Sequence, residues 1–292
     1  VLTELDPKSI GLDFSKSNSA ADGLTYGMFL QLQDHLKGTP FVERLTSADA
    51  VVSRGRGRKT ANEAKLIRAA IDTTMKLYAE VTPIVKVGVS ERELYQFMQT
   101  RVAELGLGYA WDPIGNPIVN TGPHSAIGHG PSTANLRVEQ GHLVHMDFGI
   151  KQDEYCSDIQ RMWYVLRDGE TRAPASLSRA FDAIAKTIYE GAQALKPGVM
   201  GWQVDARARE IITGEGYPEY QHAFGHQLGR TAHDGSTLLG PRWERYGETP
   251  FGVVETGQVF TLELGVTTEA GMLALEEDVI VTESGCEFLE ER

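Results

Sequence analysis

The sequence has 292 residues, with 28 Lys and Arg against 40 Asp and Glu and a formal charge of −12 at neutral pH. That length suits one large domain or two modest ones and buries a substantial core unaided, so the two cysteines, Cys156 and Cys286, are too few for a disulfide framework and point to a reducing, cytoplasmic setting. No apolar run reaches the ~20 residues of a membrane helix, and the acidic balance speaks against phosphate-backbone binding, so neither membrane nor nucleic acid is an expected partner.

The chain opens on Val1, in mid-pattern, and a preceding segment is expected. SIGLDF reads as a short strand and Leu24–Leu36 as a helix, followed by the basic run Ser53–Lys59, read as a solvated linker. Thr60 and Glu63 have capping-box spacing ahead of Ile67, Ala70, Ile71, Thr74, Tyr78 and Val81. Ser90 and Glu93 repeat the cap ahead of Leu94, Phe97, Met98, Val102 and Leu105, with Gly106 as the stop. Strands are expected near 108–121, 142–150 and 155–166, and further helices near 176–195 and 201–213.

A shift of 110 positions superposes Ala70, Asp72, Lys76, Glu80, Lys86, Gly88 and Val89 on Ala180, Asp182, Lys186, Glu190, Lys196, Gly198 and Val199. The strand GHLVHMDFGI at 141–150 likewise echoes GQVFTLELGV at 257–266. The chain therefore reads as two related halves, each of two helices followed by antiparallel strands.

An acid inside an apolar strand is costly unless its charge is compensated. Asp147 and Glu263 occupy equivalent places in the two echoing strands, and each is followed by a second acid, Asp158 or Glu276, at hairpin spacing. Asp147 would then face Asp158, and Glu263 would face Glu276. Four converging carboxylates repel one another, and a divalent metal is the economical remedy; oxygen donors with one imidazole suit Mn²⁺, Co²⁺, Fe²⁺ or Zn²⁺. HAFGHQLGRTAHD offers His222 and His226, which share a face on an extended strand, and His233. Two metals about 3.5–4 Å apart would activate a shared water as hydroxide and polarise a carbonyl.

The order Asp147, Asp158, His226, Glu263, Glu276 resembles the five-ligand pattern of the pita-bread metallopeptidases, the family of methionine aminopeptidase, aminopeptidase P, prolidase and the relative creatinase. HMDFGIKQDEYCSDIQR is similar to DFG…YxSDxTR, HAFGHQLGRTAHD to HxxxHxxGxxxHD, TLELG to TxEPG, and LEEDVIVTESGCEFL to xIEDxVxVTxxGxExL. The resemblance covers about residues 60–290. It implies an α+β pita-bread fold with two pseudo-symmetric halves over 60–292, preceded at 1–59 by the tail of a creatinase- or prolidase-type N-terminal domain. It implies that Asp158 and Glu276 bridge two divalent ions, Mn²⁺ first and Co²⁺ or Zn²⁺ otherwise, that Asp147 holds one and that His226 with Glu263 holds the other. Glu263 would also shuttle a proton, His233 would stabilise the oxyanion, and His129 and His222 would stand near the substrate.

The N-terminal piece favours the branch that cleaves Xaa-Pro bonds, in dipeptides or at peptide N-termini, working as a homodimer with its N-terminal domain complete. Three positions depart from the pattern: Ala274 stands where many Xaa-Pro enzymes have Arg, Gln160 where the family has Thr, and Leu264 where it has Pro. Alternative functions are a non-peptidase enzyme on the same fold, creatinase-like or lyase-like, and a non-catalytic binding module.

Overall fold

In a computed structural model of the chain, residues 1–16, 18, 21–125 and 132–290 are described. His129 lies outside them. The first part contributes helix α1 (Leu2–Leu5), strand β1 (Ile10–Leu12), helix α2 (Tyr26–Leu36), strand β2 (Leu45–Ser47), which pairs with β1 in parallel, and helix α3 (Asp49–Gly57). The basic run departs from the expected solvated linker: it is helical as far as Gly57, and Lys59 is buried. Asp234 is the reason. Its Oδ2 lies 3.5 Å from Lys59 Nζ and its Oδ1 2.5 Å from Arg56 Nε, and an ammonium enters a protein interior only against such a partner.

Helices α4 (Ala61–Val81) and α5 (Glu91–Glu104) both begin at complete capping boxes. Their inward stripes, Ile67 through Val81 and Leu94, Met98 and Val102, are buried as the spacing requires. Strands β3 (Gly108–Tyr109), β4 (Ile118–Thr121), β5 (Leu143–Phe148), β6 (Ile150–Gln152), β7 (Tyr155–Cys156) and β8 (Ile159–Tyr164) follow. The second half repeats the plan with helices α6 (Ala175–Ala194) and α7 (Gly201–Gly214), then strands β9 (Gly225–His226), β10 (Leu238–Leu239), β11 (Val259–Thr268), β12 (Gly271–Val281) and β13 (Cys286–Phe288).

Strands from both halves join in a six-stranded sheet of order β11-β12-β8-β5-β4, antiparallel at every pairing, with β13 added to β12. Two apolar cores lie against it. One takes Ile67, Leu94 and Met98 with Met146 and Ile159, and the other takes Ile184, Ile188 and Val204 with Leu262 and Leu275. The internal repeat extends to the backbone. Gly88 and Gly198 both adopt φ +91°, in the left-handed region that favours glycine, and their N–H groups donate to Val138 and Val254 respectively. Val138 N–H in turn donates to Val89, and Val254 N–H to Val199. The architecture is that of an α+β protein with two pseudo-symmetric halves. No helix among the described residues is long and apolar enough to cross a membrane.

Candidate metal centre

One register row crosses the central sheet and reads Glu263, Glu276, Gln160, Asp147, Ile118. Residues paired directly across strands project from the same face, so the row aims three carboxylates and an amide to one side. Glu263 and Glu276 face each other, as their spacing predicts. Asp147 and Asp158 do not. The β5–β8 register sets Asp147 against Gln160, because residues 150–156 turn aside to form a separate three-stranded sheet with β3. Asp158 stands just ahead of β8, where its backbone N–H donates to Asp278 Oδ2 at 3.2 Å. Its carboxyl nevertheless lies beside that of Asp147, close enough for each to perturb the other's titration.

His226 reaches this cluster because β9 runs hard against β11. A Cβ on Gly225 would sit 1.9 Å from the carbonyl oxygen of Thr261, so only glycine permits the approach. His226 Nε2 lies 3.6 Å from Asp158 Oδ2, and the His233 ring lies against the His226 ring at a centroid distance of 4.0 Å. The expectation of one strand spanning His222 and His226 is corrected. Only Gly225 and His226 are extended partners of β10, and His222 precedes them with its Nδ1–H donating to the Ala223 carbonyl at 2.7 Å. The carbonyl of His222 is fixed instead by Arg209 Nη2 at 2.6 Å, and Arg209 is itself paired with buried Asp205. Even so, Asp147, Asp158, His222, His226, His233, Glu263 and Glu276 all line one cavity of about 590 Å³.

Ligand atoms of Asp158, His226 and Glu276 lie within 4.8 Å of one another, and all three residues are buried. Burial, reinforced by the neighbouring Glu263 carboxylate, holds the Asp147 carboxyl well above the ordinary carboxylate range. Burial first and the surrounding carboxylates second do the same to Asp158 and Glu276. Burial, together with the neighbouring His233, pushes His226 well below the usual imidazole value, which leaves its ring neutral and able to ligate. Asp147 Oδ1 is buried and finds no hydrogen-bond partner among the described residues. Oxygen donors whose charges repel, a neutral imidazole and an orphaned carboxylate oxygen together make a donor set suited to divalent cations.

Residues 65–283 match the model of metallopeptidase family M24. The chain belongs to that family. It is 28% identical over 280 residues to a Xaa-Pro dipeptidase of Pyrococcus horikoshii, across 95% of this chain and 74% of that protein. An uncharacterized peptidase of Staphylococcus aureus strain MW2 is 28% identical over 251 residues, across 85% of this chain and 66% of its own length. The chain thus spans about two thirds to three quarters of these relatives. Among solved structures, an X-Pro aminopeptidase from Thermotoga maritima MSB8 aligns at TM-score 0.80 with 25% identity, over all of this chain and 75% of that one. A Xaa-Pro dipeptidase from Bacillus anthracis aligns at TM-score 0.76 with 27% identity, again over all of this chain and 74% of that one. These likenesses share the pita-bread fold of the M24 peptidases. Family membership makes the chain a peptidase and implies divalent metal ions, which the buried Asp158, His226 and Glu276 cluster fits.

Several groups at the site escaped the sequence reading. Gln160, noticed only as a departure from the pattern, donates from Nε2 to Glu276 Oε2 at 2.8 Å and to Glu263 Oε2 at 3.0 Å. With the Gln160 amide N–H groups used in this way, its carbonyl is left to accept from His145 Nε2–H at 2.9 Å. His145, which shows no partner in sequence, thereby orients the amide between two acids. In the sequence Asp278 is only part of a motif ending. The alternation of β12 would have put it on the face of Glu276, but nothing local links it to the N–H of Asp158.

Proposed function

We propose that the chain is a dinuclear metallopeptidase that hydrolyses Xaa-Pro bonds. The observation that carries the reading is the convergence of Asp147, Asp158, Glu263 and Glu276 with a neutral His226 on one cavity, with Asp147 Oδ1 left unpaired. Asp158 and Glu276 would be shared between two ions, Asp147 would complete one site, and His226 with Glu263 the other. The oxygen-rich set suits Mn²⁺ first, then Co²⁺ or Zn²⁺. When bound, such ions supply Lewis-acid polarisation of a carbonyl and lower the pKa of water.

The chain's own residues have the remaining tasks. Glu263, on the cavity wall, takes and returns the proton that moves between the attacking water and the leaving nitrogen. His233, lining the cavity and packed on His226, places a donor where negative charge develops on the scissile carbonyl oxygen. His222 lines the same space and is positioned to contact substrate, and His129 is assigned a like role from its motif. Gln160 keeps Glu263 and Glu276 oriented toward the ions. A proline leaving residue offers no amide hydrogen, so ring shape and carbonyl contacts must select it. The names of the relatives with Xaa-Pro activity support this choice of bond.

Residues 1–59 are read as the tail of an N-terminal domain, residues 60–292 as the catalytic domain, and the working state as a cytoplasmic homodimer. Chelator-treated protein reloaded with Mn²⁺ and assayed on a Xaa-Pro dipeptide tests the function. Activity lost on chelation and regained with Mn²⁺ is expected. Bound metal with every Xaa-Pro peptide inert would instead point to lyase-type chemistry on the same fold.

A further inference from the structure

Two of the expected ligands, Asp158 and His226, stand outside the register row that carries Glu263, Glu276 and Asp147. What holds them is the next row on the same face. Thr261 pairs with Asp278 across β11 and β12, two residues along from Glu263 and Glu276, so its side chains project to the same side. Asp278 Oδ2 accepts the backbone N–H of Asp158 at 3.2 Å, and Thr261 Oγ1 accepts that of His226 at 3.3 Å. The two ligands held in this way are themselves neighbours, with His226 Nε2 3.6 Å from Asp158 Oδ2.

Backbone geometry leaves both N–H groups in need of a side chain, because a buried N–H without an acceptor is costly. Around His226 the chain runs beside β11. Glu263 N–H donates to the Phe224 carbonyl at 2.8 Å and Leu228 N–H to that of Val259 at 3.0 Å, and between them the N–H of His226 meets the Thr261 hydroxyl. Asp158 stands between β7 and β8, where its N–H goes to Asp278. Asp278 is the unusual member of the pair. Among the described residues, the other buried acids beyond the expected ligands are matched: Asp205 faces Arg209, Asp234 faces Lys59 and Arg56, Glu277 faces Arg161, and Glu91 takes the N–H groups of Thr121 and Thr133. Asp278, equally buried, forms no ion pair with a described residue, and its Oδ1 finds no hydrogen-bond partner among them. Its side chain is committed to the N–H of Asp158.

We propose that Thr261 and Asp278 are positioning residues that set His226 and Asp158 at ligating separation, Thr261 acting through His226 alone and Asp278 through the shared ligand Asp158. A group that orients a ligand governs metal affinity without touching the ion. The two therefore differ in reach. Loss of the Thr261 hydroxyl loosens the ion assigned to His226 and Glu263, whereas loss of the Asp278 acceptor loosens both ions.

The inference rests on the dinuclear reading, so its test separates the two. Chelator-treated protein is titrated with Mn²⁺ by calorimetry, and the Tm of the metal-free form is measured alongside. Thr261→Val should weaken one of the two Mn²⁺ sites by about 10–100-fold and spare the other, and Asp278→Val should weaken both by that order. Thr261→Ser and Asp278→Asn each keep an oxygen for the N–H and should restore most of the loss. Unchanged Mn²⁺ affinity in both Val variants would overturn the proposal, whether or not their metal-free Tm falls, since a fall in Tm alone marks a merely structural contact. Ser and Asn variants no better than the Val ones would overturn it as well. Binding of a single ion by the wild type, weakened in both Val variants and rescued by Ser and Asn, would refute the dinuclear reading while upholding the two positioning roles.

Discussion

Asp234 is where the basic N-terminal run meets the loop that carries His233, and Asp234→Ala tests how much that junction matters. In the native chain the Asp234 carboxylate accepts from Arg56 Nε at 2.5 Å, from the Arg230 backbone N–H at 2.7 Å and from Lys59 Nζ at 3.5 Å. The Lys59 side chain is 1% exposed, so truncating Asp234 strands an ammonium whose remaining hydrogen-bond acceptor among the described residues is the Arg56 carbonyl, with Glu63 as a weaker charge partner. Removing one member of a buried ion pair costs about 3–5 kcal/mol. The Arg56 pairing adds little, about 0–1 kcal/mol, because that side chain is 33% exposed. Burial already draws the Lys59 pKa below the ordinary lysine value, so deprotonation offers an escape and keeps the loss from exceeding that range. Denaturant unfolding followed by tryptophan fluorescence reads the change. The Asp234→Ala, Lys59→Met double variant should regain at least about 1 kcal/mol over the single one, because the stranded charge has gone. A single-variant loss below about 1 kcal/mol, or a double variant no more stable than the single, would refute the account of the clamp.

The remaining expectations concern the centre itself. Glu276→Gln should abolish binding of both ions, read by elemental analysis after dialysis against Mn²⁺; undiminished metal content would remove Glu276 as a shared ligand. Burial and mutual repulsion raise the folded-state pKa values of Asp147, Asp158 and Glu276, so their contribution to stability is complete below the unfolded value of about 4 and is lost as pH rises through the raised values. The Tm of metal-free wild type should therefore fall relative to metal-free Glu276→Gln as pH climbs above about 4, and saturating Mn²⁺ should reverse that trend; a pH-independent difference would contradict the clustering. His233→Ala should lower kcat by about 10²–10³ if the ring stabilises the oxyanion, with unchanged kcat counting against that role. Gln160→Leu should weaken Mn²⁺ binding by about 10–100-fold, measured by calorimetry, because Glu263 and Glu276 lose the amide that orients them.

The sequence by itself determined the four long helices from α4 to α7, the two-fold repeat and the identity of the acids and histidines. Capping boxes at Thr60 and Ser90 and the buried stripes of α4 and α5 are local signals, written in three- and four-residue spacing. The duplicated acids are legible because a charge in an apolar strand contradicts its neighbours. Beyond the Glu263–Glu276 pair, tertiary structure decided which groups meet. Asp147 is set against Gln160 rather than Asp158 because residues between them leave for another sheet, and register depends on that detour rather than on spacing. Lys59 is buried rather than solvated because a carboxylate far along the chain neutralises it. His145 and Arg245 looked like ordinary polar residues until folding gave the first an amide to orient and set the second on the lining of an acidic cavity. Local sequence reports what a segment prefers, whereas the balance of charge inside a cavity is a property of segments that are strangers in sequence.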